Sequence, residues 1–197
     1  SERAGKIVFA LKSYAYPGGA KGTFFDGSLA DNLDTVLTLY GNQLKQGVEL
    51  VRRYDEAGRI AARHDELNQV WMNLVHNALQ AMEGKGTLTM GVHDEPGDCV
   101  RVDVGDDGPG VPAEYVDRIF EPFFTTKAAG EGSGLGLAIC SEIVEAHGGS
   151  MQVATGRLQV AVPARRLYQA FTNPLPTSVA CRRGGRRAGR RKAAKVW

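Results

Sequence analysis

Long hydrophobic runs are missing from this chain of 197 residues. Its longest uncharged stretch, Leu67 to Met82, is sixteen residues long and broken by amides, too short and too polar to cross a bilayer as a helix. The opening residues, Ser1-Glu-Arg-Ala-Gly-Lys6, hold no apolar core, so no secretory leader is expected. Cysteine is scarce. Cys99, Cys140 and Cys181 are an odd number without metal-ligand spacing, which points to a reducing compartment and no disulfide framework. With 43% hydrophobic and 23% charged residues, the composition excludes collagen-like, fibrous and disordered chains. It is that of an ordinary soluble globular protein of one large or two small domains.

Acidic residues are absent from one part of the chain altogether. From Ala164 onward there are ten Lys or Arg and no acid; the preceding residues hold 14 basic and all 22 acidic ones, a net of −8. An acidic body therefore precedes a basic tail, which ends in Arg182-Arg-Gly-Gly-Arg-Arg-Ala-Gly-Arg-Arg-Lys192. Such a run neutralises phosphates without selecting among them. It carries no groove-reading motif and hardly any hydrophobic pattern, so residues 164–197 are expected to be disordered. No specific nucleic-acid partner is expected, and unselected sequence fits the run as well.

In the body, Ala4, Ile7, Val8, Leu11 and Ala15 fall at helical spacing before the breaker Tyr16-Pro17-Gly18-Gly19. One amphipathic helix cannot bury its stripe alone, so residues 1–16 read as the end of a longer helical module. A second helix is expected after Ser28, capped by its hydroxyl, with Leu33, Val36, Leu37 and Tyr40 on its apolar face. Val48 to Tyr54 reads as a strand, and Glu66 to Met82 as the strongest helix. Thr87–Val92 and Asp98–Val104 alternate as strands across the turn at Pro96-Gly97. A loop rich in Gly, Pro and Phe runs from Gly105 to Gly134. It leads to a helix over Leu135–His147 that Gly148-Gly149 would end. Strands Met151–Ala154 and Leu158–Val162 close the body around Thr155-Gly156. These elements predict an α+β two-layer sandwich over residues 22–163, an antiparallel or mixed sheet with helices on one face.

Four stretches carry chemistry. On the helix of Glu66–Met82, Gln69, Asn73, Asn77 and Gln80 line one side without a charge. Such a face serves either as a solvated amide surface or as a neutral lining for a highly charged ligand. An Asn oxygen is a hard donor suited to Mg²⁺. Next, Asp106-Asp-Gly108-Pro-Gly110 follows a hydrophobic strand. A carboxylate there can accept from an exocyclic amine such as adenine presents, and glycines let a flat ring approach the backbone; a plain turn is the other reading. Third, Phe120-Glu-Pro-Phe123-Phe124-Thr125-Thr126-Lys127 either anchors its own loop or closes over a ligand, with Lys127 reaching phosphate as a point charge. Last, Gly132-Ser133-Gly134-Leu135-Gly136-Leu137 frees N–H groups at a helix start to meet phosphate oxygens.

The order of these four, between Gln69 and Leu137, resembles the catalytic ATP-binding domain of sensor histidine kinases, in the superfamily shared with gyrase and MutL. Asn73-Leu-Val-His-Asn77-Ala is similar to that family's N box, Asp106 to Gly110 to its G1 box, Phe120 to Phe124 to its F box, and Gly132 to Leu137 to its G2 box. The resemblance implies a Bergerat-type fold with ATP and Mg²⁺ as cofactors. It implies that Asn77 coordinates Mg²⁺ while Asn73 supports the phosphates. Asp106 would bond adenine, with Gly108 and Gly110 shaping its pocket. Phe120, Thr126, Lys127, Gly132, Ser133, Gly134, Leu135, Gly136 and Leu137 would line the nucleotide. Asn73, Asn77 and Lys127 would be the residues acting on the reaction.

The chain also departs from the resemblance. Hydrolysing relatives carry a glutamate where Asn73 stands, so transfer to a histidine is favoured over hydrolysis. Many relatives carry a Lys where this chain has Gln80, a charge that Lys127 would replace, and the final hairpin is shortened to Thr155-Gly156-Arg157. The alternative function is a nucleotide-binding regulatory module, a degenerate kinase without turnover. Among His64, His76, His93 and His147, none resembles the family's phosphoacceptor motif, which implies an acceptor on a helical hairpin that residues 1–16 would end. The implied partners are that phosphoacceptor hairpin and, indirectly, the receiver domain of a response regulator. The implied setting is a cytoplasmic, homodimeric parent protein that a membrane anchor would also suit. The chain is thus expected to bind Mg-ATP without phosphorylating itself; acid-labile phosphohistidine on the purified chain would refute this.

Overall fold

The computed structural model describes residues 23–55, 58–128, 132–154 and 157–164. The helix expected over residues 1–16, the Thr155-Gly156 turn and nearly all of the basic tail lie outside the described residues. Seven strands and four helices follow in order: β1 (Phe25–Ser28), α1 (Leu29–Leu39), α2 (Gly41–Leu44), β2 (Val48–Tyr54), β3 (Arg59–Ala62), α3 (His64–Ala81), β4 (Gly86–Glu95), β5 (Cys99–Asp106), α4 (Gly136–Ala146), β6 (Ser150–Ala154) and β7 (Arg157–Pro163).

Period-two patterning decides the sheet. Leu88, Met90 and Val92 of β4, Val100, Val102 and Val104 of β5, and Val160 and Val162 of β7 are all buried. Their neighbours Arg101, Asp103 and Gln159 take the opposite face. The five strands order as β2-β4-β5-β7-β6. β2 runs parallel to β4 from Val48 opposite Gly86 to Tyr54 opposite Val92, and the other pairs are antiparallel. The sheet is therefore mixed, within the range the sequence predicts. β1 and β3 form a separate antiparallel pair, Phe25 opposite Ala62 and Ser28 opposite Arg59. The sequence reading lacks both strands as well as the one-turn helix α2, because none is long enough to show a period.

Helices α1, α3 and α4 cover one face and share a single core. Ser28 accepts a hydrogen bond from the Asp31 N–H at 3.2 Å, the cap its position predicts. Leu29, Leu33, Val36 and Leu37 of α1 point inward. Helix α3 begins two residues before the expected Glu66 and buries Leu67, Val70, Trp71, Leu74, Val75, Ala78 and Leu79. Each large apolar side chain removed from water contributes about 1.5–3 kcal/mol, so α3 is the main weight of the core. Gly148, at φ +74, ends α4 as its position predicts. Cys140 is free and buried.

Two buried histidines fasten the start of α3. His64 Nε2 reaches the Ile60 carbonyl at 3.2 Å, its Nδ1 meets the Asn32 side chain, and Phe25 lies on its ring at 4.5 Å. His147, just after α4, donates from Nδ1 to the Ile143 carbonyl at 2.7 Å and accepts the Arg63 N–H at Nε2 from 3.2 Å. The second bond requires a neutral ring, because a protonated Nε2 has no lone pair to offer.

Burial is the largest influence on His147 and lowers its pKa. The Ile143 carbonyl and Glu66 oppose that shift, while Arg63 and His64 add to it. A lowered value means that the unfolded chain takes up the proton first. The contribution to stability is then complete above about pH 6.5 and is lost as pH falls below it. Melting temperature should accordingly decline as pH falls below about 6.5, and the decline should flatten in His147→Gln, read by circular dichroism.

Candidate functional site

Asp106 closes β5, and the chain turns back at once. Its Oδ1 accepts the Gly108 N–H at 3.0 Å. Burial raises its pKa above the ordinary carboxylate value, with Asp107 adding to the rise and the Gly108 bond opposing it. A methyl on Gly108 would stand 2.7 Å from Asp106 Oδ1 and 3.0 Å from the Ala81 carbonyl oxygen. The turn thus rests on the last residue of α3, and only glycine lets it come so close. A half-buried carboxylate facing an open turn, beside exposed Gly110, is a ready acceptor for one amine.

The amide side of α3 lies under other elements of the fold. Asn73 is buried; its Nδ2 makes no hydrogen bond of ordinary geometry among the described residues, and its side chain interacts with the Cys140 thiol of α4. Gly136, the first residue of α4, sits over it: a methyl there would be 3.7 Å from Asn73 Oδ1. No side chain caps this end of α4. Unpaired first-turn N–H groups and an unpaired amide N–H therefore lie together, and both want an acceptor. Further along α4, the Cys140 thiol packs on the Val70 carbonyl at 3.9 Å, and burial pushes its pKa up to about 12. Such a thiol is an inert packing group. Gln69, Asn77 and Gln80 are half-buried along the same side of α3.

The loop between β5 and α4 folds against itself and against α3. Ile119 is buried beneath it, Phe124 lies 5.5 Å from the Tyr115 ring, and the Arg118 guanidinium stands 4.5 Å over Phe124. Phe123 instead points outward, 72% exposed, at φ +67. A methyl on Gly134, itself at φ +66, would lie 2.3 Å from the Phe123 carbonyl carbon. One on Gly132 would lie 2.6 Å from Thr125 Oγ1 and 3.1 Å from Lys127 Cδ. The Phe-rich and Gly-rich stretches are thus in backbone contact. Thr125 Oγ1 accepts the Lys127 N–H at 3.2 Å, and the Lys127 ammonium donates to Gln80 Oε1. Ser133 Oγ accepts the Leu135 N–H at 3.3 Å.

These contacts bring Asn73, Gln80, Lys127, Gly132, Gly134 and Gly136 into one region, with Asp106 and Gly108 at the C-terminal end of α3. Phe120 is half-buried and Thr126 is exposed, both on the loop. The sequence reading lacks the parts of Ala81, Tyr115 and Arg118. Ala81 acts through its carbonyl, which leaves no trace in sequence, while an aromatic and an arginine flanking the Phe-rich stretch are at least suggestive.

Comparison with known proteins agrees with this geometry. The profile of the family described as "Histidine kinase-, DNA gyrase B-, and HSP90-like ATPase" matches residues 62–177. The sensor histidine kinase ZraS of Escherichia coli (strain K12) is 46% identical over 101 residues, 51% of this chain and 21% of that protein. The chain thus spans about a fifth of the length of this relative. Among solved structures, the nucleotide-free catalytic domain of histidine kinase ThkA superposes with a TM-score of 0.66 at 30% identity. It covers 72% of this chain and 97% of that one. ThkA in complex with the response regulator protein TrrA gives a TM-score of 0.65 at 27% identity, over 83% and 48% of the two chains.

The contact between Gly134 and Phe123 is open to test. Gly134→Ala combines a left-handed backbone, a cost of about 1–2 kcal/mol, with a collision. The loop should be cut several-fold faster in limited proteolysis, while the melting temperature of the core stays near that of the unaltered protein.

Proposed function

Because the chain belongs to the histidine kinase-, DNA gyrase B- and HSP90-like ATPase family, as the ATP-binding catalytic domain of a sensor histidine kinase, we propose that it transfers the γ-phosphoryl group of ATP to a histidine on a helical hairpin. The observation that carries the reading is the buried Asn73 side chain, its Nδ2 without a hydrogen bond of ordinary geometry among the described residues, beneath the uncapped start of α4. A buried donor without an acceptor costs about 1–3 kcal/mol, and phosphate oxygens would relieve it together with the first-turn N–H groups. Gly132, Ser133, Gly134, Leu135, Gly136 and Leu137 wrap the triphosphate in this reading, with Phe120, Thr126 and Lys127 on its other side. Asp106 accepts the adenine amine, and Gly108 and Gly110 leave room for the ring. Ionised Asp106 is the better acceptor, so its raised pKa makes binding weaken as pH falls toward that value.

Mg²⁺ suits this donor set. Among the described residues no group of three or more His, Cys, Asp or Glu gathers to hold a metal, so the ion would rest on the Asn77 oxygen, phosphates and water, an arrangement Mg²⁺ favours. When bound it supplies charge neutralisation along the triphosphate. The chain's own work is positioning. In the transfer, the bond from the γ-phosphorus to its bridging oxygen breaks, a nitrogen–phosphorus bond forms, and ADP departs. A neutral imidazole nitrogen needs no base to attack, and Asn73 cannot take a proton from water. Transfer is thereby favoured over hydrolysis. Binding without turnover, the degenerate alternative, is not favoured, since the matched relatives include proteins named sensor histidine kinase.

The proposed catalytic unit is residues 22–163, between the end of a hairpin at 1–16 and a basic tail. The proposed partners are the phosphoacceptor hairpin and the receiver domain of a response regulator, the latter supported by the ThkA–TrrA complex. A homodimeric parent working in the cytoplasm is part of the same proposal. No helix of the described residues is long and apolar enough to cross a membrane.

Calorimetric titration with ATP, with and without Mg²⁺, tests the reading. Asp106→Asn should weaken binding at least about tenfold, and Asn77→Ala should remove most of the Mg²⁺ dependence. Steady phosphate release from the unaltered chain, abolished by Asn77→Ala, would instead make it a hydrolase.

A further inference from the structure

Two aspartates stand together where β5 ends, Asp106 half-buried and Asp107 exposed. Exposed as it is, the Asp107 side chain has a seat. A methyl built on Gly86, the first residue of β4, would stand 2.1 Å from Asp107 Oδ1 and 3.0 Å from Met82 Sδ. The carboxylate therefore lies on the Gly86 backbone, in space that any other residue would fill. Gly86 is at φ +143, and its N–H donates to the Gly47 carbonyl at 3.1 Å, so the seat is part of the sheet. Gly108 meets the Ala81 carbonyl as closely. The turn that carries Asp106 thus has two footings, one on β4 and one on the end of α3.

A carboxylate in that seat is an electrostatic choice as well as a steric one. Asparagine has the same shape, but Asp107 brings a negative charge that opposes ionisation of Asp106. The elements packed around Asp106 bring little else. Leu88 lies opposite it on β4, and Ala81 and Met82 close α3. Glu83 and Lys85, in the turn between α3 and β4, are exposed. Arg157 lays its stem over Gly105, on the other face of β5. Among the described residues, Asp107 is the one charge that acts on the Asp106 carboxyl.

We propose that Asp107 is a positioning residue for Asp106: seated on Gly86, it fixes the turn that aims Asp106 at the amine of a bound adenine, and its charge makes that binding more sensitive to acid. The proposal rests on the reading of Asp106 as the adenine acceptor. Asp107 itself touches no part of the nucleotide. Asp106 accepts best when ionised, and a negative neighbour lets it take up a proton at higher pH. Affinity is therefore lost earlier on acidification than it would be beside a neutral residue.

Calorimetric titration of ATP into the unaltered chain, Asp107→Asn, Asp107→Ala and Asp106→Asn tests this. The pH series descends from neutrality toward 3.8, the ordinary value of the group, and melting temperatures are read throughout. Protonation of the nucleotide is common to all four proteins and cancels between them. Asp107→Asn keeps the seated shape and removes the charge. Its loss of affinity on acidification should be about twofold smaller than that of the unaltered chain, and added salt should narrow the difference. Asp107→Ala should share the flatter pH profile and bind ATP about threefold more weakly than Asp107→Asn at neutral pH, because these two differ in the seat alone.

An Asp107→Asn profile as steep as that of the unaltered chain would overturn the proposal, and so would equal affinities for Asp107→Ala and Asp107→Asn. Should Asp107→Ala melt too low to titrate, the profile of Asp107→Asn decides. A folded, unaltered chain that binds no ATP, or an Asp106→Asn chain that binds it equally well, would overturn the assignment of adenine to Asp106, and the role of Asp107 with it.

Discussion

Helix α3 buries two chemically different faces at once, and the site follows from that constraint. Its apolar side, with Leu67, Trp71 and Leu74, is sealed on the sheet, which fixes the helix in rotation as well as position. The amide side is thereby forced beneath α4 and the loop before it. Asn73 makes no hydrogen bond of ordinary geometry at Nδ2 there among the described residues. A core that holds the helix rigidly thus keeps an unsatisfied donor in place, where a looser helix would turn it toward solvent. The placement of Asn73 and the stability of the fold have one source.

Precision at the far end of the same helix comes from histidines that do no chemistry. His64 and His147 join β3, α1 and α4 to the first turn of α3 through two backbone carbonyls, the Asn32 side chain and one backbone N–H. Phe24 and Arg63 lie against this corner, Phe24 with its ring 5.8 Å from that of His147 and the Arg63 guanidinium 4.7 Å over Phe24. Rotation or sliding of α3 would break these bonds together, so the amide side is registered against α4 from both ends. At His147 a neutral aromatic ring with one donor and one acceptor suits the corner better than an amide, which must choose its orientation.

Much of this was readable from residue order because the strongest signals are local. The stripe through Leu67, Val70, Trp71 and Leu74 marks α3, the alternation in Val100, Val102 and Val104 marks β5, and Ser28 with Asp31 marks a helix start. The resemblance carried the function through four short stretches whose spacing survives change elsewhere. The unreadable parts depend on distant pairing. Arg59–Ala62 becomes a strand only because Phe25–Ser28 lies beside it. The closeness of Gly134 to Phe123, and of Gln80 to Lys127, joins residues that no period connects. Burial of Asn73 was invisible for the same reason: a neutral amide row looks alike whether water or another helix covers it.

The segment that carries Phe123 and Lys127 joins the pair β4–β5 to α4 and the pair β6–β7, whose strands β5 and β7 meet side by side. It contributes no strand to that junction. Closing a flexible loop costs free energy only as the logarithm of its length, so doubling it would cost the scaffold about 0.6 kcal/mol. Insertions and deletions there are consequently almost neutral for the sheet while they reshape what lies over the amide side of α3. Lineages of this architecture can therefore vary that covering without renegotiating the stability of the domain beneath it.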